Sequence, residues 1–291
     1  MLASRRHRGY GSHGTMWEHL IWLHFGRSRY YEPTSSFREL PIVFQNPHWS
    51  TSCAPEMDEL SLSCREYLET AMEYSLFEAI HVVRGDIGRI TLIGDEHVDC
   101  LIFPTNSSLV NFGIGAAGAV FNRAGPELLT LVRSEAYRRT RRRTTDAILT
   151  PGFDSGVDHL IHCVGPSSHR PDCEDNLYRT YLNALDRARQ VDARCVAVAS
   201  ISTGSLGFPV DLAAQIAMRA CRDFIKCHRW QATIGIVCLE TSVLSAMTRK
   251  HEQILRQFNK ECLEIVARVE DVLPPLVPFE FEVPPPPVPL T

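Results

Sequence analysis

The chain lacks several patterns that mark common protein classes. None of its ten cysteines form a C-x-x-C pair, so the spacings of zinc ribbons and thioredoxin-like redox sites are absent. There is no secretory signal and no apolar stretch of about 18 residues, the length that a membrane-spanning helix needs. The net charge of −4 gives no global reason to expect nucleic acid binding. We therefore expect a reduced, intracellular protein with no membrane partner and no bound metal or cofactor.

The two ends of the chain differ from its middle in composition. Residues 1–55 mix Arg, His, Ser and Pro without a steady period, which predicts a disordered leader. The first 15 residues contain three arginines and no acid, so a mitochondrial location is an alternative to the cytoplasm or nucleus. Residues 263–291 are expected to hold the end of a helix and a proline-rich tail, either solvated or bound by a partner that recognises proline motifs.

An amphipathic helix is predicted over residues 56–79, where Leu60, Cys64, Leu68 and Met72 follow a helical spacing. From residue 80 to residue 262, short apolar runs alternate with helical patterns, and GAVFNRAGPELLTLVRSEAYR is expected to form one continuous helix. Runs such as CLIF and CVAVA are apolar throughout, as in strands that helices cover on both faces. We predict a three-layer α/β/α fold with a mostly parallel central sheet, whose ligands collect beyond the carboxyl ends of the strands.

Two glycine-rich segments follow predicted strands and precede predicted helices. They span residues 106–118 and 200–209. Glycine lets the backbone approach a diphosphate closely, and the N-terminus of a helix supplies unpaired N–H donors. Neither segment contains the lysine of a P-loop or a G-x-G-x-x-G pattern. Each segment alone is equally compatible with a tight turn before a helix, but a diphosphate held by backbone groups suits both.

Five blocks of sequence together resemble the macro domain family. They are RGDI at 84–87, VDCLIFPTNSSL at 98–109, the helix start at 113–125, LTPGF with HLIHCVGP at 149–166, and SISTGSLGFP at 200–209. The blocks occur in the family's order and spacing over about 180 residues. The single module also resembles the macro domain of ganglioside-induced differentiation-associated proteins. This resemblance implies a mixed, mostly parallel sheet and a cleft for ADP-ribose.

The resemblance also implies which residues bind the ligand. Asp86 corresponds to the acid that accepts the adenine amine, with Ile87 beside the ring, and Asn106 to the amide that contacts the distal ribose. The first diphosphate loop would comprise Gly113, Ile114, Gly115 and Ala116. The second loop would comprise Ser202, Thr203, Gly204, Ser205, Leu206, Gly207 and Phe208. His162 lies inside a strand motif, so we interpret it as a buried structural histidine rather than a base.

Two departures from the family pattern bear on catalysis. Members that hydrolyse ADP-ribosyl esters commonly carry an Asp that orients water where this chain has Ala117, and Phe103 replaces the first Asn of N-x-x-N. A methyl group cannot orient water or act as a base. We therefore expect a protein that binds ADP-ribose or ADP-ribosylated protein, with no catalytic residue assigned. A hydrolase or O-acetyl-ADP-ribose deacetylase, and a degenerate scaffold for protein association, are the alternatives.

A basic run over residues 138–143 contains five arginines. Cations are favoured near the C-terminus of a helix, so we interpret the run as a solvated loop that follows one. Binding of nucleic acid or poly-ADP-ribose through these arginines is the alternative, and it is not favoured.

Overall fold

The computed structural model of the chain describes residues 14–26, 61–110, 113, 115–140 and 142–259. Its strands are β1 His81–Arg84, β2 Leu92–Ile93, β3 Glu96–His97, β4 Cys100–Thr105, β5 Ala147–Pro151, β6 His159–Val164, β7 Cys195–Ala199 and β8 Thr233–Cys238. Its helices are α1 Gly14–Phe25, α2 Leu62–Glu78, α3 Gly115–Ala124, α4 Pro126–Arg133, α5 Glu135–Arg139, α6 Cys173–Gln190, α7 Val210–His228 and α8 Thr241–Arg256. Over these ranges, no helix is long and apolar enough to cross a membrane.

Six of the strands form one sheet in the order β1-β8-β7-β4-β6-β5. The pairs from β1 through β6 are parallel, and only β5 is antiparallel to its neighbour. The continuous apolar runs CLIF and CVAVA predict strands that are covered on both faces. They form β4 and β7, which are almost entirely buried. The expected mixed, mostly parallel sheet is confirmed.

Helices cover the sheet on both faces. The larger apolar cluster packs α6, α7 and α8 against one face, together with Phe77 of α2. The smaller cluster packs α3 and α4 against the other face, and Ile93 of the β2–β3 hairpin fills the space left over Gly235. The three-layer architecture follows, because each face of a parallel sheet has to bury its own apolar side chains.

The helix expected after the first glycine segment is divided into α3, α4 and α5. The first break falls at Gly125, which has φ 80°, and Pro126 then begins α4 without needing a backbone N–H. The second break falls at Ser134, whose extended conformation separates α4 from α5. The prediction of one continuous helix was therefore wrong, because the apolar period continued through a glycine-proline pair that ends a helix.

The leader expected to be disordered contains helix α1. Trp17, Ile21 and Phe25 recur every four residues and are buried against α2, where Cys64 and Tyr67 meet them. The structure therefore corrects the expectation for Gly14–Phe25, since an apolar stripe at this spacing is stabilised by a partner helix. The remainder of residues 1–55 and the proline-rich tail, with the partner expected for it, lie outside the described residues.

Helix α2 lies within the range predicted for it and buries polar residues as well as apolar ones. Glu73 is fully buried, and its carboxylate lies 3.3 Å from Nε of Arg229 and 3.9 Å from Nζ of Lys226. Lys226 also donates to Asn259 at 2.6 Å. These ion pairs join α2 to the C-terminal end of α7. The spacing of apolar residues in the sequence did not predict them.

Substituting Glu73 with Ala should lower the free energy of unfolding by about 3 kcal/mol, because it removes a buried carboxylate that lies beside two cations, Lys226 and Arg229. The matched control is Glu252→Ala, which breaks an exposed pair with Arg256 and should cost less than about 0.5 kcal/mol. Urea unfolding of both variants measures the difference. Equal losses in the two variants would contradict a stabilising role for the buried pair.

His162 lies in the core of the sheet, as interpreted from its strand motif. Its Nε2 is 3.0 Å from Oγ1 of Thr150, and its ring centroid is 4.6 Å from that of Phe103. Burial, with a smaller effect of the Arg142 charge, lowers the pKa of His162 to about 3. The imidazole is therefore neutral at physiological pH and does not reach the surface.

The lowered pKa makes the stability of the fold depend on pH. The unfolded chain takes up a proton at His162 below about pH 6.5, whereas the folded chain does not, so the free energy of unfolding falls as the pH falls. From pH 7.5 to pH 5, His162 should account for a loss of about 2 kcal/mol. Urea unfolding at pH 7.5 and at pH 5 measures the loss of stability in the wild-type chain and in His162→Gln. The loss in the variant should be smaller by about 2 kcal/mol. If the variant lost as much stability as the wild-type chain, the attribution of this pH dependence to His162 would be refuted.

Candidate functional site

The residues predicted to bind a ligand follow strands that end at one edge of the sheet. Because β1, β8, β7, β4 and β6 are parallel, their carboxyl ends lie together, and the register aligns Arg84 with Cys238. Asp86 follows β1, the second glycine loop follows β7, and Asn106 follows β4. The sheet therefore gathers both glycine segments and the acid at one edge.

Asp86 begins a tight turn directly after β1. Its Oδ1 accepts a hydrogen bond from Gly88 N at 2.9 Å, and its carbonyl accepts from the backbone N–H groups of Arg89 and Ile90. Its Oδ2 lies 3.8 Å from Nε of Arg89, a side chain that is 89% exposed. One carboxylate oxygen thus holds the turn, and the other is available to a ligand.

The side chain of Ile87 belongs to the apolar core beneath the site. It is 5% exposed and clusters with Ala117 and Val120 of α3. Ile87 therefore supports the Asp86 turn from below, and little of its side chain is left to contact a ring.

The first loop begins with a local network around Asn106. Its Oδ1 accepts from the backbone N of Ser108 at 3.1 Å and from Oγ of Ser108 at 2.7 Å, which leaves the amide NH2 for a ligand hydroxyl. Gly113 and Gly115 follow, both exposed, and Ala116 is half-buried in the first turn of α3. Ile114 and Asn111 lie outside the described residues.

Arg142 supports the first loop from outside, which sequence reasoning did not anticipate. It is 8% exposed and donates to the carbonyls of Tyr137 at 2.7 Å, Thr140 at 3.2 Å and Ser107 at 3.5 Å. Desolvation lowers the pKa of its guanidinium. The interpretation of this run as solvated is therefore corrected for Arg142.

The second loop is a compact turn with a buried base and an exposed tip. Ser202 has φ 65° and donates from Oγ to the carbonyl of Pro166 at 2.9 Å, and Phe208 N donates to Ser202 O at 3.2 Å. Gly204 and Ser205 form the exposed tip. The remaining predicted residues lie in the same turn: Thr203, Leu206 and Gly207.

Helix α6 and the segment after β6 hold this loop in place. Ile201 N donates to the buried hydroxyl of Tyr181 at 2.9 Å, and Ser168 N donates to Leu206 O at 3.0 Å. A Cβ added to Gly165 would lie 2.7 Å from Oγ of Ser202, so the strand end at β6 and the loop pack without room for a side chain. The loop is therefore fixed from both sides before any ligand binds.

A cavity of about 490 Å³ lies between the Asp86 turn and the start of α3. Its lining consists of Asp86, Gly88, Arg89, Gly113, Gly115, Gly118, Ala119, Asn122 and Arg123. The second loop does not border this cavity. Asp86 and the first glycine loop thus line one cavity. The second loop lies at the same edge of the sheet, where it follows β7, but outside this cavity.

Arg123 also escaped sequence reasoning, although it borders the cavity. Its Nη1 donates to the carbonyl of Ile90 at 2.7 Å and its Nε to that of Ser155 at 2.5 Å. A single arginine within a predicted helix carries no signal in the sequence, because its partners are backbone carbonyls of distant segments.

The two departures from the family pattern both lie in the core. Ala117 is 2% exposed and Phe103 is fully buried, and both belong to the apolar cluster on the α3 side of the sheet. Phe103 therefore does not fill the cleft. Among the residues that the structure describes, no group of three His, Cys, Asp or Glu side chains is placed to hold a metal ion.

Comparison with known proteins agrees with this geometry. The family model described as macro domain matches residues 102–217. An O-acetyl-ADP-ribose deacetylase of Escherichia fergusonii is 36% identical over 191 residues, which are 62% of this chain and 98% of that protein. ADP-ribose glycohydrolase MACROD1 of Bos taurus is 31% identical over 167 residues, which are 56% of this chain and 48% of that protein.

A solved structure shares the fold. A mutant of the Oceanobacillus iheyensis macrodomain with ADPR is 28% identical and superposes with a TM-score of 0.54, over 60% of this chain and 92% of that one. The matched regions cover nearly the full length of the deacetylase and of this macrodomain. The chain belongs to the macro domain family.

Proposed function

We propose that the chain binds ADP-ribose, free or attached to a protein, at the carboxyl edge of its sheet. The observation that carries the proposal is the gathering of Asp86, Asn106 and both glycine loops at this one edge. The solved relative with ADPR and the relatives named for ADP-ribose chemistry support the same ligand.

The diphosphate of the ligand would lie between the two glycine loops. Helices α3 and α7 both begin at this edge, and the N-terminus of a helix favours an anion through its unpaired N–H groups and its dipole. Gly204 and Ser205 leave the tip of the second loop open to approach. No lysine is needed, because the donors are backbone groups.

The two ends of the ligand would meet side chains. Oδ2 of Asp86 would accept the adenine amine, since Oδ1 already holds the turn. The amide NH2 of Asn106 would donate to a hydroxyl of the distal ribose, since its carbonyl oxygen is bound to Ser108. These contacts distinguish ADP-ribose from a bare diphosphate.

Binding is favoured over hydrolysis because the segment from Asn106 to Ala124 contains no Asp, Glu or His. General acid–base catalysis needs such a group within hydrogen-bonding reach of the reacting atom. Two relatives are named as hydrolytic enzymes, which supports hydrolysis of an ADP-ribosyl linkage as the second candidate. Release of acetate from O-acetyl-ADP-ribose at a rate proportional to protein concentration would favour that candidate.

Calorimetric titration of the full chain with ADP-ribose tests the proposal. We expect a dissociation constant on the order of micromolar, about −8 kcal/mol. Gly204→Glu should weaken binding at least about a hundredfold, because the carboxylate would repel the diphosphate at the tip of the second loop.

The matched control is Gly204→Ala. A Cβ at this position meets no atom within 4 Å, so the methyl group should leave the loop and its affinity for ADP-ribose unchanged. AMP serves as the control ligand that lacks the diphosphate and the distal ribose. Absence of ADP-ribose binding to the wild-type chain at millimolar ligand would reject the proposal and favour a scaffold role.

A further inference from the structure

Helix α3 joins the two halves of the ligand site. It begins at Gly115, within the first glycine loop, and ends at Ala124, next to the residue that contacts the Asp86 turn. In the sheet, β8 and β7 separate β1 from β4, so the strands do not bring the Asp86 turn against the first loop. The contact between these two parts of the site therefore runs through α3.

Two residues of α3, one turn apart, contact the Asp86 turn. A Cβ added to Gly88 would lie 2.7 Å from Cβ of Ala119 and 2.9 Å from its carbonyl oxygen, so the turn rests directly on the helix. Four residues later, Arg123 donates from Nη1 to the carbonyls of Ile90 at 2.7 Å and Ile87 at 3.4 Å. Residues four apart lie on the same face of a helix.

Arg123 also fixes the turn against a third segment. Its Nε donates to the carbonyl of Ser155 in the short 3-10 helix Phe153–Ser155, beneath the end of α3. The carbonyls of Ile87 and Ile90, which accept from its Nη1, belong to the turn that Asp86 holds. A single guanidinium thus bonds backbone on both sides of α3, and its planar fork suits such divergent acceptors.

We propose that Arg123 is a positioning residue that sets the distance between the adenine acceptor Asp86 and the first diphosphate loop. From Gly115 to Arg123 the helix spans about 12 Å, a fixed length between the loop and the turn. The inference rests on the proposed function and adds a determinant of base selectivity. Arg123 acts on the base through the turn, since its Nε and Nη1 are bonded to backbone carbonyls.

The test compares two ligands on the full chain. Inosine diphosphate ribose carries a carbonyl where ADP-ribose carries the adenine amine, so only ADP-ribose can donate to Asp86 from this exocyclic position. The N1–H of the inosine base is a donor at the neighbouring ring atom, displaced from the position of the amine. Calorimetry should show that the wild-type chain prefers ADP-ribose about tenfold, the effect of one hydrogen bond. Arg123→Met, which keeps an unbranched side-chain stem and removes its donors, should reduce this preference to about twofold while binding of the inosine ligand changes little.

Two further variants complete the test. Arg123→Lys keeps one donor and should give an intermediate preference for ADP-ribose over the inosine ligand. If thermal unfolding shows that the Met variant does not fold, the preference of the Lys variant tests the inference in its place. The matched control is Arg179→Met, which removes a surface ion pair with Asp175 on α6 and should leave the preference unchanged.

The outcomes separate this inference from the proposed function. Equal weakening of both ligands in Arg123→Met, or no weakening of either, overturns the inference while binding of ADP-ribose stands. Equal affinity of the wild-type chain for the two ligands also overturns it. Binding of neither ligand to the wild-type chain rejects the proposed function, and the inference with it.

Discussion

The parallel pairing of β1, β8, β7, β4 and β6 is the constraint on which the rest of the structure depends. Parallel strands end at a common edge, so the segments that follow them are brought together without any attraction between the segments themselves. The same pairing requires helices on both faces, and α3 and α7 consequently begin at that edge. Fold and site therefore have one cause.

The parts that the sequence predicted are those set by local pattern. The uninterrupted apolar runs of β4 and β7 indicated strands buried on both faces, and glycines between strand and helix indicated the two loops. Asp86 and Asn106 were assigned through the resemblance to the macro domain family, and they lie after β1 and β4. The position of His162 inside a strand motif also indicated burial, and its surroundings of Thr150 and Phe103 agree.

The parts that were not predicted depend on contacts between distant segments. Arg142 belongs to a basic run, and only the fold brings the carbonyl of Ser107, which is 35 residues away in sequence, to it. Helix α1 is too short to be stable alone and is held by α2, from which it is separated by 36 residues. The buried carboxylate of Glu73 could not be anticipated, since charge is rarely buried unless a partner is supplied.

The backbone bond between Asn259 N and Phe25 O, at 3.0 Å, joins the ends of α1 and of the segment after α8. Because α8 returns from the carboxyl edge, this junction lies at the amino edge of the sheet, about 20 Å from the cleft, the length of a six-residue strand. The ends of α1 and of the segment after α8 are therefore tied together on the side opposite the mouth of the cleft, so this junction leaves the cleft accessible to a bulky target.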